Sequence, residues 1–166
     1  MALATYVPEE VTCVVAGLLT LDGYVDGTFV TVDKDVAPYT TIRTPDGTVA
    51  RIQNGDSTYS ITFTLYSGST SNDALTKLWQ LDELTNMGKF PVFIKDNSGS
   101  DLFFSATAWI AEVPTLGKGN EYGERAWVIQ AASGSVNFGN NESASGIVGD
   151  IINIAAGALP SIGGLF

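Results

Sequence analysis

The sequence predicts a mainly β protein interrupted by one helix and trailed by an apolar C-terminal arm. Three observations carry this. Apolar and polar residues alternate with period two in several short segments, turn residues separate those segments, and only one stretch switches to helical spacing. Tyr59, Ile61, Phe63 and Leu65 alternate with Ser60, Thr62 and Thr64, as in a half-buried strand. Segments 12–18, 29–34 and 90–95 are further β-rich runs, and 102–113 and 124–132 are the densest. In 102–113 the alternation puts Phe103 and Trp109 on one side and Leu102, Phe104 and Ile110 on the other. In 124–132 Trp127 and Ile129 oppose Ala126 and Val128. Apolar residues on both faces call for cover on both faces, from a second layer or from another subunit.

The turns are marked by residues that tolerate positive φ or bond their own backbone. Leu21-Asp22-Gly23, Asp26-Gly27, Asn54-Gly55 and Asp96-Asn97-Ser98-Gly99 are of this kind. Pro45-Asp46-Gly47 closes a hairpin between 39–44 and 48–53. Its residues Tyr39, Thr40, Thr41, Ile42, Arg43, Val49 and Arg51 give neither face enough apolar surface to fold onto a core unaided, and an isolated two-stranded hairpin is marginal in water. Such a hairpin is expected to order against another subunit.

The helix is predicted at about 71–86. Thr70 and Asp73 fit a capping box, Ala74, Leu75, Leu78, Trp79, Leu81 and Leu84 follow at helical spacing, and Gly88 is a plausible stop. Leu75, Leu78 and Trp79 are expected to anchor it in the core. A Gly/Asn/Ser linker at 137–146 then leads into Ile147, Val148, Ile151, Ile152 and Leu159, with Asp150 the one charge among them and Pro160 after them. This arm is expected to dock on an adjacent subunit.

Composition excludes much. The chain has 166 residues, of the size of one domain, with 45% apolar and 16% charged residues. Eighteen acidic against eight scattered basic residues give a net charge of −10, the wrong sign for gripping phosphates or an anionic membrane surface. No histidine is present, which removes the commonest general base and metal ligand. Cys13, the single cysteine, allows no intrachain disulfide; burial is the plain expectation and an intermolecular disulfide the alternative. No apolar run is long enough for a membrane span, and no export signal is predicted, because the apolar run 11–21 follows Glu9 and Glu10.

Chemistry-bearing motifs are equally sparse. Residues 117–123 have the wrong spacing for a dinucleotide loop. Residues 96–101 resemble a calcium loop but put Asp101 where a glycine is needed. Asp33/Asp35 and Asp82/Glu83 are carboxylate neighbours expected on solvated surface rather than in a catalytic pair. The sequence offers no catalytic residue, metal ligand or cofactor site.

Taken in order, Asp26-Gly27-Thr28-Phe29-Val30, then 59–65, then Ser71-Asn72-Asp73-Ala74-Leu75, then 90–96, 106–110 and 124–129 resemble the tail tube proteins of contractile-tailed bacteriophages. The chain is similar in plan to the inner tubes of type VI secretion systems and contractile bacteriocins. The resemblance covers about 5–138, a tail-tube β domain taken as 1–138, and leaves 139–166 as linker and arm. It implies a β-sandwich or partly rolled barrel of antiparallel strands with one flanking helix. It implies hexameric rings stacked into a hollow virion tube, assembled in the host cytoplasm, through which the genome passes into the host bacterium. The hairpin occupies the family's ring-stacking position. Sheath, baseplate and tail terminator proteins are the implied partners, and DNA would cross the lumen without specific binding. A ring of six would carry six times the charge of −10, which would keep phosphates off the wall. The alternatives are the inner tube of a bacteriocin or secretion particle and a monomeric β-sandwich binding module.

Overall fold

A computed structural model describes residues 3–141. After a 3-10 turn at Pro8–Glu10 come β1 (Val11–Val15), β2 (Leu19–Thr20), β3 (Val30–Lys34), β4 (Tyr39–Arg43), β5 (Val49–Gln53) and β6 (Tyr59–Tyr66). The helix α1 (Ser71–Thr85) follows, then β7 (Phe90–Asp96), β8 (Leu102–Glu112), β9 (Glu124–Ala131) and β10 (Ser135–Asn137). The predicted strands and the single helix are all present. Segment 12–18 is shorter than expected because Ala16 and Gly17 take positive φ and turn the chain after Val15.

Eight strands form one antiparallel sheet in the order β2-β1-β7-β8-β9-β6-β3, with β10 also pairing β8. The alternating residues of β1, β6, β7 and β9 bury one face: Cys13, Val15, Ile61, Phe63, Leu65, Val92, Ile94, Trp127 and Ile129 make one cluster. The sheet is rolled around that cluster and left unclosed, with β2 and β3 as its ends.

Strand β8 departs from the simple alternation. Phe90 and Val92 face Ala108 and Ser105, so β8 carries one more residue than β7 across that step. The bulge flips the phase. Phe103 and Ser105 before it and Ala108 and Ile110 after it are all buried, whereas Trp109 lies on the outer side with Phe104. Period-two counting across the bulge had put Phe103 with Trp109 and Ile110 with Phe104.

Helix α1 also begins and ends differently from its sequence signature. Thr70 is itself in the α region and makes no side-chain cap. The cap comes from Ser69, whose Oγ accepts the Ser71 N–H at 3.2 Å, while Ser71 Oγ donates to Asp22 Oδ1 at 2.9 Å. At the other end Asn86 adopts φ 56° and returns its N–H to Asp82 O. Gly88 is needed for a different reason: a Cβ there would lie 2.3 Å from Asp82 Cβ. Leu75 is fully buried, Leu78 and Trp79 are half-buried against the core, and Leu81 and Leu84 are exposed.

Asn72 joins the helix to the sheet. Its Nδ2 donates to Tyr66 O at 2.9 Å, and its Oδ1 accepts Trp127 Nε1–H at 2.9 Å inside the core. The short polar side chain thereby satisfies the indole donor that burial of Trp127 would otherwise strand.

Candidate assembly interface

Strands β4 and β5 form a separate two-stranded sheet that pairs with no other strand among the described residues. Their register pairs Tyr39 with Gln53, Thr40 with Ile52, Thr41 with Arg51, Ile42 with Ala50 and Arg43 with Val49. Side chains directly opposite share a face, so Thr40, Ile42, Ala50 and Ile52 lie together on one side. Ile42 and Ile52 are 45% and 51% exposed, and every residue of both strands is exposed. On the other side Arg51 lies over the Tyr39 ring at 4.1 Å, with Thr41, Arg43 and Val49 beside them. The hairpin is thus amphipathic, and among the described residues nothing covers its apolar face.

The turn is built to hold that shape. Gly47 has φ +89° and donates its N–H to Thr44 O at 3.0 Å. Asp46, between Pro45 and Gly47, accepts the Thr48 N–H at 3.0 Å and pairs with the Thr44 hydroxyl. Those hydrogen bonds, the Thr44 hydroxyl foremost, hold the Asp46 carboxyl below its usual range. At the base Asn54 N–H donates to Pro38 O at 2.8 Å. Just beyond, Asp35 accepts from Ser60 Oγ at 2.5 Å and from Gln130 Nε2, and its carboxyl is lowered chiefly by the Ser60 bond. Asp56 takes the N–H and hydroxyl of Thr58 at 2.9 and 2.7 Å and is lowered in turn. The neighbours Asp33 and Asp35 therefore form no catalytic pair: Asp35 is spent on fixing the hairpin's root to β6 and β9.

A second surface left uncovered among the described residues crosses the outer face of the sheet. Val14 pairs with Phe93, Phe93 with Phe104 and Phe104 with Ser135, in one row across β1, β7, β8 and β10. Phe93 and Phe104 are 37% and 45% exposed. The two-sided apolar pattern of these strands signalled an outer apolar face, but which residues meet across strands depends on register that the sequence does not state.

The loop resembling a calcium site serves the fold. Asp96 is buried; burial pushes its carboxyl up, and hydrogen bonds from Ser98 and Asn141 outweigh that and lower it. Asp101 Oδ1 accepts the Gly139 N–H at 2.7 Å. Together they tie down the chain as it leaves β10. Among the described residues no group of three or more His, Cys, Asp or Glu side chains could hold a metal. Cys13 is fully buried, and desolvation pushes its thiol up to about 11. The expected arm residues Ile147, Val148, Ile151, Ile152 and Leu159 lie outside the described residues.

No protein-family model matches the chain. It is 35% identical over 156 residues, 90% of either chain, to structural protein ORF10 of Pseudomonas phage KPP10. The chain belongs to this family of phage structural proteins. Its role in the phage particle is accordingly structural, not enzymatic. The phage protein's fold recurs in a chain of the cryo-EM structure of the anti-feeding prophage cap, an AFP tube terminating cap. The TM-score there is 0.56 at 12% identity, over 82% of this chain and 93% of that one. A chain of a native gene transfer agent virion matches with a TM-score of 0.52 at 12% identity, over 80% and 99% of the two chains. One from a sheath/tube terminator of the PVC extracellular contractile injection system gives 0.51 at 12%, over 80% and 96%. At such identities the likeness is one of fold.

Proposed function

We propose that this phage protein is a ring-forming subunit of a contractile tail, six copies closing a ring and rings stacking into the hollow inner tube that carries the genome. The observation that carries this reading is the hairpin β4–β5. It is preformed, tied at its root to β6 and β9 by Asp35, and its apolar face of Ile42, Ala50 and Ile52 is left exposed among the described residues. An apolar face of this kind is a contact surface in want of a partner. Stacking is the role that suits a rigid projection on a repeating subunit, because a head-to-tail contact that does not close generates a filament. The outer row Val14–Phe93–Phe104 supplies a second apolar contact, for a ring neighbour. Sheath, baseplate and terminator proteins are the partners this role requires. The charge of −10 per subunit suits a lumen that DNA slides through without sticking.

A second reading is favoured by the fold shared with chains of a tube terminating cap and of a sheath/tube terminator. A terminator makes one ring and stops. Purified full-length protein, imaged in negative stain over a concentration series, separates the two. Tubes that lengthen with concentration are expected. Single rings at every concentration overturn the tube reading in favour of the terminator, and a monomer throughout overturns both.

A further inference from the structure

The hairpin β4–β5 is joined to the main sheet by two short links, 35–38 and 54–58. At the joint the Asn54 N–H donates to Pro38 O at 2.8 Å, and nearer the sheet the Asp35 N–H donates to Thr58 O at 3.2 Å. Asn54-Gly55, in the second link, is the one Asn-Gly pair in the sequence. An asparagine side-chain amide is open to attack by the backbone nitrogen of the next residue. Glycine, with no side chain, hinders that approach least.

The surroundings of Asn54 favour the attack. The Asp56 N–H donates to Asn54 Oδ1 at 3.1 Å, so it draws electron density from Cγ and supports the oxyanion of a tetrahedral intermediate. Asn54 Nδ2 and the Gly55 N–H have no hydrogen-bond partner among the described residues, so neither the leaving nitrogen nor the attacking one is held back. Gly55 is exposed, and a Cβ built on it would meet nothing within 4 Å, so the backbone has room to turn. Asn97-Ser98, another asparagine followed by a small residue, is arranged in the opposite way. Asn97 Nδ2 donates to Glu10 O at 2.9 Å and to Thr12 Oγ1 at 3.0 Å, and the Ser98 N–H donates to Asp96 Oδ1 at 2.8 Å. Asn72 is buried and bonded at both amide atoms.

We propose that Asn54 is a site of spontaneous deamidation and that the change loosens the hairpin's attachment to the sheet. The Gly55 nitrogen gives its proton to hydroxide and bonds to Asn54 Cγ. The Cγ–Nδ2 bond breaks, and the amide nitrogen takes a proton from water and leaves as ammonia, which regenerates hydroxide. Water then opens the succinimide at either carbonyl. Opening at the Gly55 N–Cγ bond gives aspartate. Opening at the backbone carbonyl gives isoaspartate, in which the main chain runs through Cγ and is one carbon longer. That extra carbon falls next to the Asn54–Pro38 hydrogen bond that closes the hairpin's base. Either product adds a carboxylate beside Asp56, which already feels the charge of Asp35. The inference does not depend on ring formation, since every group involved belongs to one subunit.

The test uses the full chain in its unassembled form, incubated in mildly alkaline buffer made with oxygen-18 water, then digested and mapped by mass spectrometry. The peptide holding residue 54 is expected to exchange amide for acid with uptake of one oxygen-18, to appear as both aspartate and isoaspartate, and to form faster as pH rises. The peptide holding Asn97 is expected to stay unchanged. The full-length variant Gly55→Val should convert at about a tenth of the rate or less, because a branched side chain crowds the attacking nitrogen. No conversion at Asn54, conversion of Asn97 at the same rate, or aspartate as the single product overturns the proposal. Amide hydrogen exchange then compares fresh and aged chains. Exchange at Thr40 and Ile52, the next pair along the hairpin ladder, is expected to be faster in the aged parent chain and unchanged in aged Gly55→Val. Equal rates in fresh and aged parent chain overturn the loosening.

Discussion

Asn72 and Trp127 form the most consequential single contact. The indole N–H and the amide oxygen are both out of water, so each depends on the other. Asn72→Ala is expected to lower stability by about 1–3 kcal/mol in urea melts, because it strands the indole donor. Adding Trp127→Phe to that variant removes the stranded donor, so the two losses should fall short of additive. Cys13 makes a simpler case. Its thiol is buried and raised to about 11, so the native chain should stay unmodified by a thiol reagent at neutral pH and react fully once unfolded. Rapid native labelling would show that β1 opens readily. Burial of Cys13 was legible beforehand from its apolar surroundings; the Asn72 contact was not, since Asn72 read as one more polar residue of a capping box, and nothing in the sequence says which indole it reaches.

Among the elements, the helix and most strands were legible because their periodicity is local. Leu75, fully buried, is expected to cost about 2–5 kcal/mol as Leu75→Ala. Trp79→Ala should cost less than the roughly 3–5 kcal/mol of a fully buried aromatic, since its ring is half-buried. What the sequence hid were events between elements: the β8 bulge that reverses Phe103 and Trp109, and the cleft beside β3 lined by Phe29, Val32, Ile94 and Val136 among the described residues. Both depend on register across strands far apart in the chain. The hairpin was visible as turn chemistry, while its single apolar face followed only from pairing Ile42 with Ala50 and Thr40 with Ile52. Replacing 39–53 by a short Gly/Ser linker should leave the main-sheet circular dichroism signal and melting intact and abolish tubes. Tubes of normal length from that chain would remove the hairpin from the stacking contact. Acid should act at both ends of the hairpin, its turn and its root. Asp35, Asp46 and Asp56 have lowered carboxyls. Their contribution is complete above the ordinary carboxylate value of about 3.9 and is lost as pH falls through the lowered values. Hairpin amide protection should therefore hold from neutral pH to about 5 and decline below about 4, with a shallower decline in Asp35→Asn.

At the scale of the molecule two forces oppose each other when copies meet. Each chain brings a charge of −10, and each brings apolar surface on the hairpin and along Phe93 and Phe104. Like charges repel over a distance that shrinks from about 30 Å at 0.01 M salt to about 8 Å at 0.15 M. Apolar burial is not screened in this way, and excluded salts such as sulfate strengthen it. If apolar contact drives association, raising ionic strength should lower the critical concentration for assembly, measured by light scattering, with sulfate more effective than chloride at equal ionic strength. A critical concentration that rises with salt would mean that ion pairs hold the contacts instead, and would point to Arg43 and Arg51 on the polar face of the hairpin. The double variant Phe93→Ser/Phe104→Ser separates the two surfaces. Both rings sit on the outside of the sheet, so the subunit should stay folded while its assembly loses most of the response to sulfate. If its scattering curve overlays that of the parent chain at every salt concentration, the outer row faces solvent in the assembly and the hairpin alone carries the contact.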